Sequence, residues 1–272
     1  MKGFLGEIRD VWRRKEILEI DRDDICVEKP LYSLDRVESL RSSIIRWKRE
    51  MGVAIIAEYK RSSPTGLINT QLDIRDYFFQ LKDLVAGFSV IVEREWFMGS
   101  PGYIEILRLL GYRGPILAKG FVFYEKQIDL YRSCGASSIL LIVEALELEE
   151  LETLYRYSEK INIEPVVEIN KFEELEKVMK TLPLSIVGVN SRDLASLNVN
   201  RQAMLSTVRK VRKEYPDLII IAESGMSSVK DVTEAIEAGA DACLIGTSLM
   251  RNANRESFLR DLYTSIKSSV SL

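Results

Sequence analysis

From residue 53 onward the chain alternates short apolar runs with amphipathic stretches, and this alternation restricts the available folds more than any other feature. The runs are Val53–Lys60, Phe88–Glu93, Pro115–Lys119, Ser138–Val143, Pro165–Ile169, Ser185–Asn190, Leu218–Glu223 and Ala242–Gly246. They are rich in Val, Ile and Leu and nearly uninterrupted, the pattern of parallel strands covered on both faces. The intervening segments carry apolar residues at helical spacing: Asp76–Val85, Tyr103–Leu110, Lys126–Cys134, Glu147–Lys160, Lys171–Lys180, Arg201–Lys213, Ser227–Ala238 and Arg255–Lys267. Glu147–Lys160 also begins with acids, which suits a helix dipole.

Eight strands alternating with eight helices predict an α/β fold, a (β/α)8 TIM barrel. An open doubly wound sheet is the alternative, but it usually has fewer strands and a Gly-rich turn after the first, which is absent here. A length of 272 residues fits one such barrel. Residues 51–272 are assigned to it, and residues 1–50 to an N-terminal helical extension packed on its outside or over one end. The extension carries helical patches around Ile8–Ile17 and Asp35–Trp47.

Composition excludes several chemistries. The chain has no histidine, so Ser-His-Asp and Cys-His nucleophile systems and most zinc sites are ruled out. Acid–base work must come from Lys, Glu, Asp or Tyr. The formal net charge of −3 lacks the basic excess of a nucleic-acid binder. No apolar stretch is long enough to cross a bilayer, and the first residues lack a signal-peptide core, so a cytoplasmic location is expected. Cys26, Cys134 and Cys243 form no CxxC pair and read as small buried hydrophobes.

In a barrel of this type chemistry sits at the C-terminal strand ends. Those ends carry Glu58 and Lys60, Glu93, Lys119, Glu168, Asn190 with Arg192, and Glu223. Glu58 and Lys60 are two apart on one strand and so share a face. Buried charges need partners or a purpose, and five of them converging from different strands favour acid–base catalysis over a structural ion-pair network. Ser224-Gly225 after strand seven and Gly246-Thr247-Ser248 after strand eight form a second pattern, in which glycines let backbone N–H groups approach an anion. Together they point to a phosphorylated small molecule.

At this point several motifs coincide with one family. They are Ile55–Pro64 (IIAEYKRSSP), Phe97–Ser100 (FMGS), Leu117–Phe121 (LAKGF), Leu140–Val143 (LLIV), Glu164–Asn170 (EPVVEIN), Gly188–Leu194 (GVNSRDL), Ala222–Met226 (AESGM) and Leu244–Arg251 (LIGTSLMR). In order and spacing, over about residues 30–252, the chain resembles indole-3-glycerol-phosphate synthase of tryptophan biosynthesis. That resemblance implies a (β/α)8 barrel with an N-terminal helical extension that acts on 1-(2-carboxyphenylamino)-1-deoxyribulose 5-phosphate. The family closes the pyrrole ring, releases CO2 and eliminates water, with no metal or organic cofactor.

The resemblance also implies roles. Lys119 matches the general acid that protonates the ketone oxygen. Lys60 matches the lysine that contacts the substrate carboxylate and serves as an acid in dehydration. Glu168 and Glu58 match the carboxylates that remove a proton and position the lysines. Asn190 and Glu223 match the residues holding substrate hydroxyls and amine, and Arg192 is a support residue beside the carboxylates. Ser63, Ser224, Gly225, Gly246 and Thr247 correspond to the phosphate grip, and Phe97, Phe121, Leu140 and Ile245 to the apolar walls around the anthranilate ring.

Two positions depart from the family pattern. Gly120 stands where Asp is usual, which bears on how Lys119 is oriented, and activity is expected to survive because Lys119 itself is present. Thr247 stands where Ser is usual and keeps the hydroxyl. On the residues alone a sugar-phosphate isomerase or Schiff-base aldolase stays open, as does a non-catalytic barrel that binds a phosphorylated ligand. The chain is expected to be a monomer or weak homo-oligomer.

Overall fold

A computed structural model of the protein describes residues 6–11, 36–192 and 197–270. Eight parallel strands close into a barrel: β1 (Ala54–Tyr59), β2 (Gly87–Ile91), β3 (Ile116–Lys119), β4 (Ser138–Ile142), β5 (Glu164–Ile169), β6 (Ile186–Asn190), β7 (Ile219–Glu223) and β8 (Ala242–Ile245). Each strand pairs with its sequence neighbour, and β8 closes on β1 through Ala54 opposite Ala242. The chain is thus a (β/α)8 barrel, as the alternation predicted.

The strands alternate strictly between two apolar shells. Ile55, Ala57 and Tyr59 of β1 join the outer shell beneath the helices, whereas Ala54 and Ile56 join the inner one. The same parity sends Leu117 inward from β3, Leu140 and Ile142 from β4, Val166 from β5, Ile221 from β7 and Leu244 from β8. Continued by two, it reaches Glu58, Lys119, Glu168 and Glu223. The last inward position on several strands is therefore polar, and all of these positions open at one end of the barrel.

The outer layer is α2 (Ile74–Leu81), α3 (Gly102–Leu109), α4 (Glu125–Ser133), α5 (Leu148–Lys160), α6 (Phe172–Val178), α7 (Arg201–Glu214), α8 (Val229–Ala238) and α10 (Arg255–Val270). Sequence reading placed all eight within a few residues. It did not foresee the two-residue hairpin Ser62–Ser63 with Gly66–Leu67, or the short helix α9 (Thr247–Arg251). Both are too short to show a periodic pattern.

The opposite end of the barrel is closed by α1 (Leu40–Met51), which precedes β1. It begins and ends about four residues later than the predicted Asp35–Trp47. Ser39 accepts a bond from Ser42 N at the start, and Gly52 stops the helix in the left-handed region at φ 86°. Leu40 and Ile44 enter the inner shell. Leu40 N donates to Glu164 Oε2 at 2.5 Å, and Lys48 Nζ lies 2.6 Å from Asp241 Oδ1.

Residues 6–11 are helical and bury Ile8 in the inner shell. The Arg9 guanidinium lies over the Phe123 ring and pairs with Glu150. The rest of the patch predicted at Ile8–Ile17 lies outside the described residues, as do Cys26, Asp193 and Leu194. Cys243 is free and buried. Cys134 is fully buried in the outer shell, as expected of a small buried hydrophobe, and is disulfide-bonded.

Candidate active site

At the C-terminal mouth the Lys119 ammonium bridges two carboxylates from across the barrel. Its Nζ is 2.9 Å from Glu168 Oε2 and 2.6 Å from Glu223 Oε2. Asn190 Nδ2 donates to the other Glu168 oxygen at 3.0 Å and so fixes that carboxylate. The sheet register brings these groups together, because Asn190 lies opposite Glu223 and Ile142 opposite Glu168. Just past the end of β1, Lys60 Nζ sits 2.5 Å from Glu58 Oε2. Glu58, Glu168 and Glu223 are 1%, 2% and 0% exposed, so water screens none of them.

Burial shapes the charge states. It works against a charged Lys119, but the nearby Glu168, Glu223 and Glu58 outweigh it and drive the amine's pKa up. Burial also acts on both carboxyls of the pair. For Glu168 the Lys119 charge and the Asn190 and Lys119 hydrogen bonds prevail, and its pKa falls below the ordinary carboxylate value. For Glu223 burial and the neighbouring Glu168 charge prevail over Lys119, and its pKa rises to about 8. Two buried carboxyls beside one ammonium thus favour a single negative charge on the pair, with Glu223 the harder of the two to ionise. Glu223 Oε1 has no hydrogen-bond partner among the described residues.

Glycines make room for these acids. A Cβ on Gly188 would meet Glu223 Oε1 at 2.2 Å, and one on Gly246 would meet Glu58 Oε2 at 2.1 Å. Arg192 is held by its backbone: its N–H donates to Asn190 Oδ1 at 2.9 Å, and its carbonyl accepts from Asn170 Nδ2 at 3.1 Å.

Lys60, Lys119, Glu58, Glu168, Asn190, Arg192, Ser224, Phe97, Phe121 and Leu140 line one recess. Glu223 lies beneath it against Lys119. An adjoining recess, lined by Gly225, Gly246 and Thr247, also contains Glu58, Lys60, Arg192 and Ser224. Gly225 has φ 72° there, and Ser224, a non-glycine residue, has φ 63°. Ser63 lies apart, on the hairpin after β1, in a third recess that shares Lys60, Arg192 and Thr247 with the second.

Ile245 is the exception. It is 1% exposed and belongs to the outer shell beneath the helices, so it forms no wall of the site. The strand's parity turns its neighbour Leu244 inward instead. Sequence reading missed the part played by Gly188 and left Ile91 and Ile142 out of the pocket wall, whereas Glu93, which it placed at the mouth, does line the recess. Counting back by two from Glu93 and on by two from Leu140 would have found Ile91 and Ile142, and counting back by two from Gly246 would have turned Leu244 inward and rejected Ile245. The departure at Gly120 leaves Lys119 well positioned, because Glu168 and Glu223 fix its ammonium without help from residue 120.

The fold and mouth define a (β/α)8-barrel enzyme with a buried lysine–carboxylate site. Among solved structures the chain superposes on a 3-hexulose-6-phosphate synthase with a TM-score of 0.64 at 12% identity, covering 78% of this chain and 99% of that one. It superposes on thiamine phosphate pyrophosphorylase from Pyrococcus furiosus with a TM-score of 0.58 at 14% identity, covering 80% and 98%. Such distant likeness speaks for the fold alone. The sequence is more specific: the family model for indole-3-glycerol phosphate synthase matches residues 12–262. The indole-3-glycerol phosphate synthase of Aeropyrum pernix is 41% identical over 226 residues, 82% of this chain and 85% of that protein. That of Sulfurisphaera tokodaii is 37% identical over 257 residues, 94% and 96%. The chain belongs to the indole-3-glycerol phosphate synthase family, carboxy-lyases of tryptophan biosynthesis.

Proposed function

We propose that the protein converts 1-(2-carboxyphenylamino)-1-deoxyribulose 5-phosphate to indole-3-glycerol phosphate, CO2 and water by lysine–glutamate acid–base catalysis. The observation that carries this reading is the Lys119 ammonium held between Glu168 and Glu223. The ring carbon bearing the carboxylate attacks the ketone, and Lys119 gives its proton to the ketone oxygen, so no bare alkoxide forms in a dry site. CO2 then leaves, and its bonding electrons restore the aromatic ring. In the last stage the new hydroxyl departs as water with a proton from Lys60, and Glu168 takes the proton from the adjacent carbon.

Two protons are donated and one is recovered, and loss of CO2 from a carboxylate accounts for the net uptake of one. Glu168, 2.9 Å from Lys119, is placed to return its proton to that amine. Phe97, Phe121 and Leu140 offer the apolar wall for the anthranilate ring. Gly225, Gly246 and Thr247, with Ser224 beside them, offer the phosphate its backbone donors and hydroxyls.

A Schiff-base aldolase would need Lys119 as a neutral amine, and the carboxylates that push its pKa up oppose that state. The test is to add the anthranilate-ribulose phosphate and follow indole fluorescence alongside CO2 release. Equal amounts of both are expected, with turnover falling about 10²–10⁴-fold in Lys119→Ala. A borohydride-trapped adduct on Lys119, or indole formation undiminished in Lys119→Ala, would defeat the reading.

A further inference from the structure

Asn170 ends the EPVVEIN motif, one residue past β5, and the chemistry above gives it no part. It lies where three consecutive strands finish. Its Nδ2 donates to Arg192 O at 3.1 Å, beyond the end of β6, and to Glu144 Oε2 at 3.3 Å, in the turn after β4. An Asn amide nitrogen has two hydrogens, so one side chain can serve both acceptors. Glu174 of α6 holds the backbone here, because its Oε2 accepts from Asn170 N at 2.8 Å and from Lys171 N at 3.2 Å. Asn170 is not part of the wall of the reactive recess.

Arg192 passes this hold inward. Its N–H donates to Asn190 Oδ1 at 2.9 Å, and Asn190 Nδ2 donates to Glu168 Oε1 at 3.0 Å. A backbone N–H can only donate, so Asn190 must turn its amide oxygen toward residue 192, and its NH2 group then faces Glu168. With the amide reversed, its oxygen would face a carboxylate oxygen. The orientation of Asn190 therefore depends on where the backbone of residues 191 and 192 sits. Ser191 N donates to Glu223 O at 3.1 Å and fixes that backbone from the β7 side, and Asn170 fixes it from the β5 side. The bond from Arg192 Nη1 to Leu197 O and the bridge to Val199 only tie the loop after β6 to itself.

Glu168 sits among charged groups from several strands. Lys119 from β3 reaches its Oε2 at 2.9 Å, Glu223 from β7 meets the same ammonium at 2.6 Å, and Glu58 from β1 acts on that ammonium as well. Asn190 is the neutral donor on Oε1, the oxygen that Lys119 does not take. A hydrogen bond to a carboxylate favours its charged form, so this bond helps Lys119 to hold Glu168 ionised.

We propose that Asn170 is a positioning residue for the Lys119–Glu168 pair: by holding Arg192 O it sets the Asn190 amide, and through that amide it keeps Glu168 aimed at Lys119. The inference deepens the synthase reading and rests on it only for the step in which Glu168 takes a proton. Loss of Asn170 frees residue 192 on the β5 side, lets the Asn190 amide turn, and leaves Glu168 Oε1 without its donor.

The experiment compares the intact protein with Asn170→Ala, Asn170→Asp, Asn190→Ala and the double variant of Asn170→Ala with Asn190→Ala. Turnover of the anthranilate-ribulose phosphate is measured across pH, and the Glu168 carboxyl carbon is titrated by NMR without substrate. Asn170→Ala is expected to lower kcat about tenfold with little change in KM. Glu168 should titrate at higher pH than in the intact protein, because the donor on Oε1 is lost, and the acid limb of kcat should move the same way. Asn170→Asp keeps the size and replaces the NH2 group with an oxygen, so it should act alike and decides the matter if Asn170→Ala does not fold. In the Asn190→Ala background Asn170→Ala should cost no further kcat, since both act through one amide. Unchanged kcat and Glu168 titration in the Asn170 variants, or losses that add in full in the double variant, overturn the proposal. The two readings fail separately: a Glu168 titration that moves with Asn170 in a protein without turnover removes the synthase assignment and keeps the positioning role. Full turnover with a titration indifferent to Asn170 does the reverse.

Discussion

Gly188 leaves open the space that Glu223 occupies: a Cβ on residue 188 would stand 2.2 Å from Glu223 Oε1. The contact cannot be relieved cheaply, because Glu223 is fully buried and its other oxygen is tied to Lys119 at 2.6 Å. Gly188→Ala is therefore expected to displace Glu223 and lower kcat at least about tenfold, with a stability cost of about 1–3 kcal/mol from overpacking. Steady-state turnover and denaturant unfolding on the same preparation check this. A variant with wild-type kcat would mean that Glu223 can move without consequence.

Glu223 also gives the protein a pH signature. Its folded pKa of about 8 lies above the ordinary glutamate value of 4.5. The folded state therefore binds more protons than the unfolded one between those values, and stability falls as pH rises through that window. Glu223→Gln should remove this contribution, so the wild-type-minus-variant difference in melting temperature should drift downward from pH 5 to pH 8. A difference that stays flat across that range contradicts the assignment of the proton to Glu223.

Gly120 and Val92 form a fitted pair. A Cβ at residue 120 would meet Val92 Cγ2 at 2.8 Å, and Val92 is buried at 3% exposure. Gly120→Asp on its own is expected to reduce kcat/KM about tenfold or more, by pushing strand ends apart at the cost of overpacking. Adding Val92→Ala should recover much of that loss. If the double variant is no better than Gly120→Asp, the two positions are independent and steric fit is not the reason for the glycine.

Asp241 is a clamp at the opposite end of the barrel. It accepts from Ile220 N at 2.8 Å and pairs with Lys48 at 2.6 Å and Arg212 at 2.5 Å, joining α1 to β7 and α7. The two cations are partly exposed, so most of the cost of removing Asp241 comes from the buried N–H it leaves unpaired. Asp241→Ala should destabilise the protein by about 2–4 kcal/mol without changing kcat. Denaturant melts that move by less than about 0.5 kcal/mol would show the clamp to be unimportant.

Much of this protein was legible in its sequence because the signals are local and repetitive. Eight apolar runs with amphipathic spacers specify strands and helices by period, and period-two alternation places Glu58 and Lys60 on the same face without reference to the rest of the chain. The charges at strand ends mark the mouth, since an apolar strand has no local reason to end in one. Tertiary structure alone decided what depends on register between distant strands. That Glu168 and Glu223 converge on Lys119, that Glu223 is the harder of the two to ionise, and that Ile245 faces the helices while Leu244 faces the barrel follow from how the sheet closes. The same holds for Asn170, whose amide joins the chain beyond β4 to the chain beyond β6. No short window of sequence contains both of its partners, and an electrostatic environment exists only once the chain has brought its walls together.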